Sequence, residues 1–148
     1  MVEGETGGWK ARLKALGIVR KRGGRKVSHD PRKIVQGRGG EEVAARHLEE
    51  RGVVIVERNV RYRDGEIDLV AREGTTLLFV EVKRRRTQEF GSPEEAVGPR
   101  KRARVIRAAR RWLARAPRGA REVRFDVVAI QDEPPRVDWI RGAFDAAP

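Results

Sequence analysis

The stretch GEIDLVAREGTTLLFVEVKRRR, residues 65–86, decides how the chain is read. Two apolar, β-rich runs flank Glu73-Gly74, which predicts a β-hairpin. Three charged residues, Asp68, Glu81 and Lys83, stand inside strands that ought to be half buried. Side chains alternate faces along a strand, so Glu81 and Lys83 share a face with Leu77 and Phe79. A two-residue turn at Glu73-Gly74 sets Asp68 opposite Phe79 and diagonal to Glu81. A four-residue loop sets Asp68 directly opposite Glu81, whereas a three-residue loop turns it to the other face. Both even-length loops gather the two carboxylates and the ammonium into one patch.

Two converging carboxylates repel each other, and something must offset that repulsion. A divalent cation does so, and hard oxygen ligands suit Mg²⁺ or Mn²⁺. Water activated by such an ion is a natural nucleophile for a phosphodiester. Lys83 stands where it would bind the scissile phosphate or orient that water. It also opens the run Lys83-Arg84-Arg85-Arg86, so Arg84 and Arg85 offer positive charge where a backbone phosphate would arrive. The competing reading is a structural ion pair on an exposed sheet face, since opposite charges across strands are ordinary.

Upstream, GRGGEEVAARHLEERG (residues 37–52) reads as a helix with Val43, Ala44 and Leu48 on its buried stripe and Gly52 closing it. Ala44, Ala45 and Leu48 lie three, four and seven residues after Glu41, so Glu41 sits on or beside that stripe, able to lean toward the carboxylates. Its neighbour Glu42 points about 100° away. Val53-Val54-Ile55-Val56 follows as a strand-like run leading to Arg58-Asn59. Downstream, Ser92-Pro93-Glu94-Glu95 reads as a helix start. A longer helix is predicted over residues 100–116, with Val105, Ile106, Ala109, Trp112 and Leu113 on one face. Residues 122–131 form another strand, and a short last strand is expected at 137–140. The order of elements predicts an α/β fold, a central mixed sheet flanked by helices.

The helix region 100–118 carries nine basic residues and no acid. A solvated face more often mixes signs, so the pattern favours phosphate contacts, with Lys101, Arg104 and Arg111 as candidates. The whole chain agrees: 34 Lys and Arg against 22 Asp and Glu give a net charge of +12 in 148 residues. That balance points to a polyanion, nucleic acid first. The length fits one folded domain, residues 37–148, preceded by a basic and flexible arm, residues 1–36, with ten basic residues against three acids. The absence of cysteine excludes a disulfide framework, a thiolate metal site and a cysteine nucleophile, and two histidines leave little for a His-rich centre. No apolar run approaches the ~18 residues of a membrane span, and the start lacks the apolar region of a signal peptide, so a cytoplasmic protein with no membrane partner is expected.

Taken together, Glu41, Asp68 and Glu81-Val82-Lys83 resemble the PD-(D/E)xK signature of the restriction-endonuclease-like superfamily. The closer resemblance is to the YraN-type bacterial family, related to archaeal Holliday-junction resolvases, over about residues 37–141. Gly40-Glu41, Arg58-Asn59, Gly65-Glu66-Ile67-Asp68, Phe79-Val80-Glu81-Val82-Lys83, Phe90-Gly91-Ser92-Pro93, Lys101 and Arg124-Phe125-Asp126 look like that family's blocks. Ile67 departs from the proline that names the signature. The resemblance implies a restriction-endonuclease-like fold and a Mg²⁺-dependent endonuclease acting on DNA, with branched or junction DNA as a substrate class. Asp68 and Glu81 would hold the metal, Lys83 would stabilise the transition state or place the water, and Glu41 would be a secondary ligand. Matched cuts on a junction would call for a homodimer. Two rivals are a non-catalytic nucleic-acid-binding protein on the same fold, and an accessory protein docking through apolar residues near Trp139 and Phe144.

Overall fold

The computed structural model describes residues 39–86, 97–116 and 122–146. The arm 1–36 and the helix start at Ser92-Pro93 lie outside the described residues. Helix α1 (Gly40–Glu49) leads into three antiparallel strands, β1 (Val54–Tyr62), β2 (Gly65–Glu73) and β3 (Thr76–Arg85). Helix α2 (Pro99–Arg115) follows, and β4 (Glu122–Gln131) then lies parallel to β3. Strand β5 (Arg136–Phe144) returns antiparallel to β4 and closes a five-stranded sheet in the order β1-β2-β3-β4-β5. The fold is therefore a mixed α/β sheet with flanking helices, consistent with a restriction-endonuclease-like core. No described helix is long and apolar enough to cross a membrane.

The helices cover opposite faces of the sheet. Val43, Ala44, Ala45 and Leu48 of α1 pack on Leu69, Ala71, Leu78, Val80, Val128 and Ile130. Val105, Ala108, Ala109 and Trp112 of α2 pack on Ile67, Val70, Leu77, Phe79, Phe125 and Val127. Successive residues of β3, Leu77 to Val80, are all buried because both faces are covered. Trp112 belongs to the core, edge-on to Phe79 at 5.8 Å between ring centroids. Leu113, expected on the same face, is 36% exposed, because the helix turns about 100° per residue and Trp112 takes the central position.

The hairpin turn is Gly74-Thr75, with Glu73 paired to Thr76, one residue later than the Glu73-Gly74 turn expected from sequence. The register is the one a four-residue loop would also give, and it puts Asp68 in line with Glu81. The first strand is longer than the apolar run suggested, because Arg58-Asn59 continue it to Tyr62. Asn59 adopts a left-handed backbone, φ 50°, a conformation Asn tolerates better than most residues. There the alternation breaks: Arg58 reaches Glu42 of α1 at 2.6 Å, while Val60 packs under α2.

At the far side, Asp126 is fully buried and fully satisfied. It accepts from Arg124 Nε at 2.8 Å and Arg124 Nη2 at 2.9 Å, from Trp139 Nε1 at 2.8 Å and from the Gly142 N–H at 2.9 Å. It locks β5 to β4 beside the register shift between Phe125 and Val127. Phe144 is buried against Phe125 at 5.1 Å, so it is core rather than an exposed docking residue.

Gly65 opens β2 directly beneath α2. A Cβ there would overlap the Arg104 carbonyl and press on Ala108 Cβ at 3.1 Å. The obstacle is backbone, which has no rotamer to yield. Gly65→Ala is expected to destabilise the domain by about 3 kcal/mol, the upper part of the usual range for overpacking, measured by urea unfolding.

Candidate active site

Strand β2 stays paired with β1 down to Gly65, but its ladder with β3 stops at Leu69 and Val80. Strand β3 stays paired with β4 as far as Arg85. The two middle strands therefore splay apart. Asp68 and Glu81 are the first residues past the last rung, one on each side of the split. Asp68 Oδ2 accepts the Val82 N–H at 2.8 Å and so replaces the missing ladder bond.

Helix α1 reaches the same place. Its first residue, Gly40, lies so close to the sheet that a Cβ would meet Val82 Cγ1 at 3.3 Å. The Asp68 carboxyl is raised in pKa first by burial, and Glu41, in the first turn, is close enough for its charge to add a smaller push in the same direction. Glu42 faces away and pairs with Arg58. The 3.6-residue period thus sends one acid to the site and the other to a partner on β1.

Glu81 is the most constrained of the group. Its side chain is 3% exposed, and Oε2 is buried with no hydrogen-bond partner among the described residues. Burial, then the Asp68 charge, pushes its carboxyl up to about 8, against the opposing pull of Lys101 and Lys83. Asp68 is raised as well, first by burial, while its bond from Val82 works the other way. The pair stands within hydrogen-bonding reach when one of them carries a proton. A shared proton is one way to satisfy Oε2, and a cation is the other.

The basic residues divide into two sets. Lys83 is half-buried on β3, two residues beyond Glu81 and near enough to favour its ionised form. Lys101, singled out from sequence for phosphate contact, turns instead toward the carboxylates: Nζ lies 2.7 Å from Glu66 Oε1 and 3.4 Å from Glu81 Oε1. Arg111 pairs with Asp64 at 2.9 Å, and Arg107 donates to the Asp64 carbonyl. Arg104 stands exposed on α2, near enough to Glu66 to favour its ionised form. Arg84 pairs with Asp132 at 2.9 Å, and Arg85 follows it, half-buried, at the end of β3. Sequence reasoning missed Glu66 and the site role of Lys101. The signal for Glu66 was its place two residues before Asp68, but the irregularity opposite Asn59 hides which way it faces.

The donor set suits a divalent cation in one respect and is sparse in another. Two carboxylates meet at a buried split, with one oxygen unsatisfied. Among the described residues, no group of three His, Cys, Asp or Glu side chains is gathered closely enough to hold an ion. Mg²⁺ commonly takes one or two carboxylates and keeps water for its other positions, so the pair fits such an ion without a third side chain.

The profile described as "Uncharacterised protein family UPF0102" matches residues 40–130, well over half of the chain. The chain belongs to the UPF0102 family. The match runs from the start of α1 through nearly all of β4, and so takes in Glu41, Glu66, Asp68, Glu81, Lys83 and Lys101. A UPF0102 protein of Frankia alni is 53% identical over 111 residues, covering 73% of this chain and 92% of the relative. One from Beutenbergia cavernae is 55% identical over 106 residues, covering 70% and 90%. One from Geobacter sulfurreducens is 46% identical over 111 residues, covering 73% and 87%.

Glu81 makes stability depend on pH in a definite direction. Its folded pKa lies above its unfolded value, so its contribution is fully present below pH 4.5 and is lost as pH rises toward about 8. Glu81→Gln removes that loss. With EDTA present, the variant is expected to melt several degrees above the parent at pH 8 and to lose this advantage at pH 4.5 and below, as followed by circular dichroism.

Proposed function

We propose that this UPF0102 protein is a Mg²⁺- or Mn²⁺-dependent endonuclease of the PD-(D/E)xK type, acting on DNA and suited to branched or junction substrates. The observation that carries the reading is the buried Asp68–Glu81 pair at the split between β2 and β3, with Glu81 Oε2 unpartnered among the described residues and Lys83 two residues on. The resemblance of Glu41, Asp68 and Glu81-Val82-Lys83 to that signature, and of the wider blocks to the YraN-type family, supports it.

Asp68 and Glu81 would hold the ion. When bound, it would draw charge from the scissile phosphate and lower the cost of deprotonating water. Lys83 would donate to a non-bridging phosphate oxygen and stabilise the extra negative charge that develops there. Glu41, at the first turn of α1, would accept a hydrogen bond from the attacking water and help aim it. Arg104, with Arg84 and Arg85 beside the split and Arg111 farther along α2, would contact flanking phosphates without reading sequence. A homodimer would provide the two matched cuts a junction requires.

The direct test is cleavage of linear, single-stranded, flapped and four-way-junction DNA with Mg²⁺ or Mn²⁺ against EDTA. Asp68→Asn is expected to abolish cutting. Lys83→Ala is expected to lower the cleavage rate by at least about a hundredfold, the loss typical of one transition-state hydrogen-bond donor, while DNA affinity changes less than about twofold. Arg104→Ala should instead weaken binding equally across sequences and reduce the slope of log K against log salt by about 1, read by fluorescence anisotropy.

The second reading is a nucleic-acid-binding protein that does not cut. The position of Lys101 favours it, because an ammonium already lies against Glu81. Binding that is unchanged by EDTA and by Asp68→Asn, with no cleavage of any substrate, would establish it in place of the nuclease.

A further inference from the structure

The two oxygens of Glu81 have different surroundings. Oε1 lies 3.4 Å from Lys101 Nζ, while Oε2 is buried with no hydrogen-bond partner among the described residues. Lys101 Nζ lies at the same time 2.7 Å from Glu66 Oε1. Glu66 is 36% exposed against 3% for Glu81, so the ammonium bridges a wet carboxylate and a dry one. Helix α2 is held there by backbone, because the Arg104 carbonyl rests on Gly65, the residue before Glu66. An ammonium and a divalent ion repel strongly at such range in a poorly solvated site. If one enters, the other must leave, and Glu66 lies on the way out.

We propose that Lys101 is the resident cation of the Asp68–Glu81 site, holding the carboxylates while no divalent ion is bound and withdrawing onto Glu66 when one enters. The idea rests on the metal reading given above. It makes Lys101 a positioning residue and Glu66 its resting partner. It also gives the site a ligand-free state in which the buried charge is partly balanced, at the expense of ion affinity. An ordinary half-exposed ion pair between Lys101 and Glu66 would have neither effect.

The test is Mn²⁺ binding to the EDTA-treated, dialysed full chain, followed by the electron paramagnetic resonance signal of free Mn²⁺. The parent is expected to bind, and Asp68→Asn to lose that binding. Lys101→Met should bind about tenfold tighter and Glu66→Gln about threefold weaker, a scale typical of coupled neighbouring charges. In the Lys101→Met background, Glu66→Gln should change affinity by less than about 1.5-fold, because Glu66 acts through the ammonium. Lys101→Gln replaces the methionine variant if that one melts below the assay temperature.

Lys101 variants that bind no tighter than the parent would overturn the proposal. So would a Glu66→Gln effect of equal size with and without Lys101, which would mark Glu66 as a direct electrostatic contributor. These results leave the nuclease reading standing. A parent that binds no Mn²⁺, or binding that Asp68→Asn does not disturb, would remove the metal reading and the resident-cation role together.

Discussion

Where β2 and β3 part, past the last rung at Leu69 and Val80, the Val82 N–H has no ladder acceptor on β2, and the Asp68 carboxylate takes that place at 2.8 Å. This bond holds the site open. If β2 and β3 continued to zip together, their backbones would satisfy each other and Asp68 would be an ordinary cross-strand side chain. Because they splay, a carboxylate is drawn into the end of the sheet, Glu81 is held opposite it, and α1 closes over the gap through its contact with Val82. The left-handed Asn59 on the next strand accompanies the same distortion, since the strand must change face there to follow β2.

Like charges at such a split need compensation, and part of it comes from Lys101 of α2. That helix has no acid of its own over its entire length. Its cations find partners on the adjoining turn and strand: Arg107 and Arg111 at Asp64, Lys101 at Glu66 and Glu81. An acid-free helix is therefore not by itself a mark of phosphate binding. Some of its charge balances the protein's own carboxylates, and the remainder, including Arg104 on the exposed side, is what faces solvent.

The sequence carried the fold because its local signals agreed with the tertiary outcome. Alternation placed Glu81 and Lys83 on the face of Leu77 and Phe79, and the apolar stripes of α1 and α2 named most of the residues that cover the sheet. The turn was legible only to within one residue, because Glu73-Gly74 and Gly74-Thr75 are both acceptable two-residue loops. The Asp68–Glu81 juxtaposition survived that ambiguity, since both even registers put the two on one face. What stayed hidden depends on contacts between distant elements. Lys101 meets Glu81 across twenty positions, and although the resemblance to the YraN-type blocks picks it out, the local pattern of charge and period does not tell it from Arg104. The exposure of Leu113 follows from how α2 is rotated on the sheet, which periodicity defines only to within a residue or so.

The glycine at the head of β2 has a consequence for how fast the site can respond. With the Arg104 carbonyl resting on Gly65, α2 and β2 touch backbone to backbone, and there is no side chain between them to act as a cushion. Sliding of the helix would have to break this contact and would run in the microsecond-to-millisecond range of collective motions. Rotation of Lys101 about its own side-chain bonds breaks only its ion pairs with Glu66 and Glu81, and side-chain rotation is faster than collective motion of a helix. The ammonium can thus leave Glu81 and return many times while the scaffold stays still, so the response time of the carboxylate pair is that of one side chain and not of the fold.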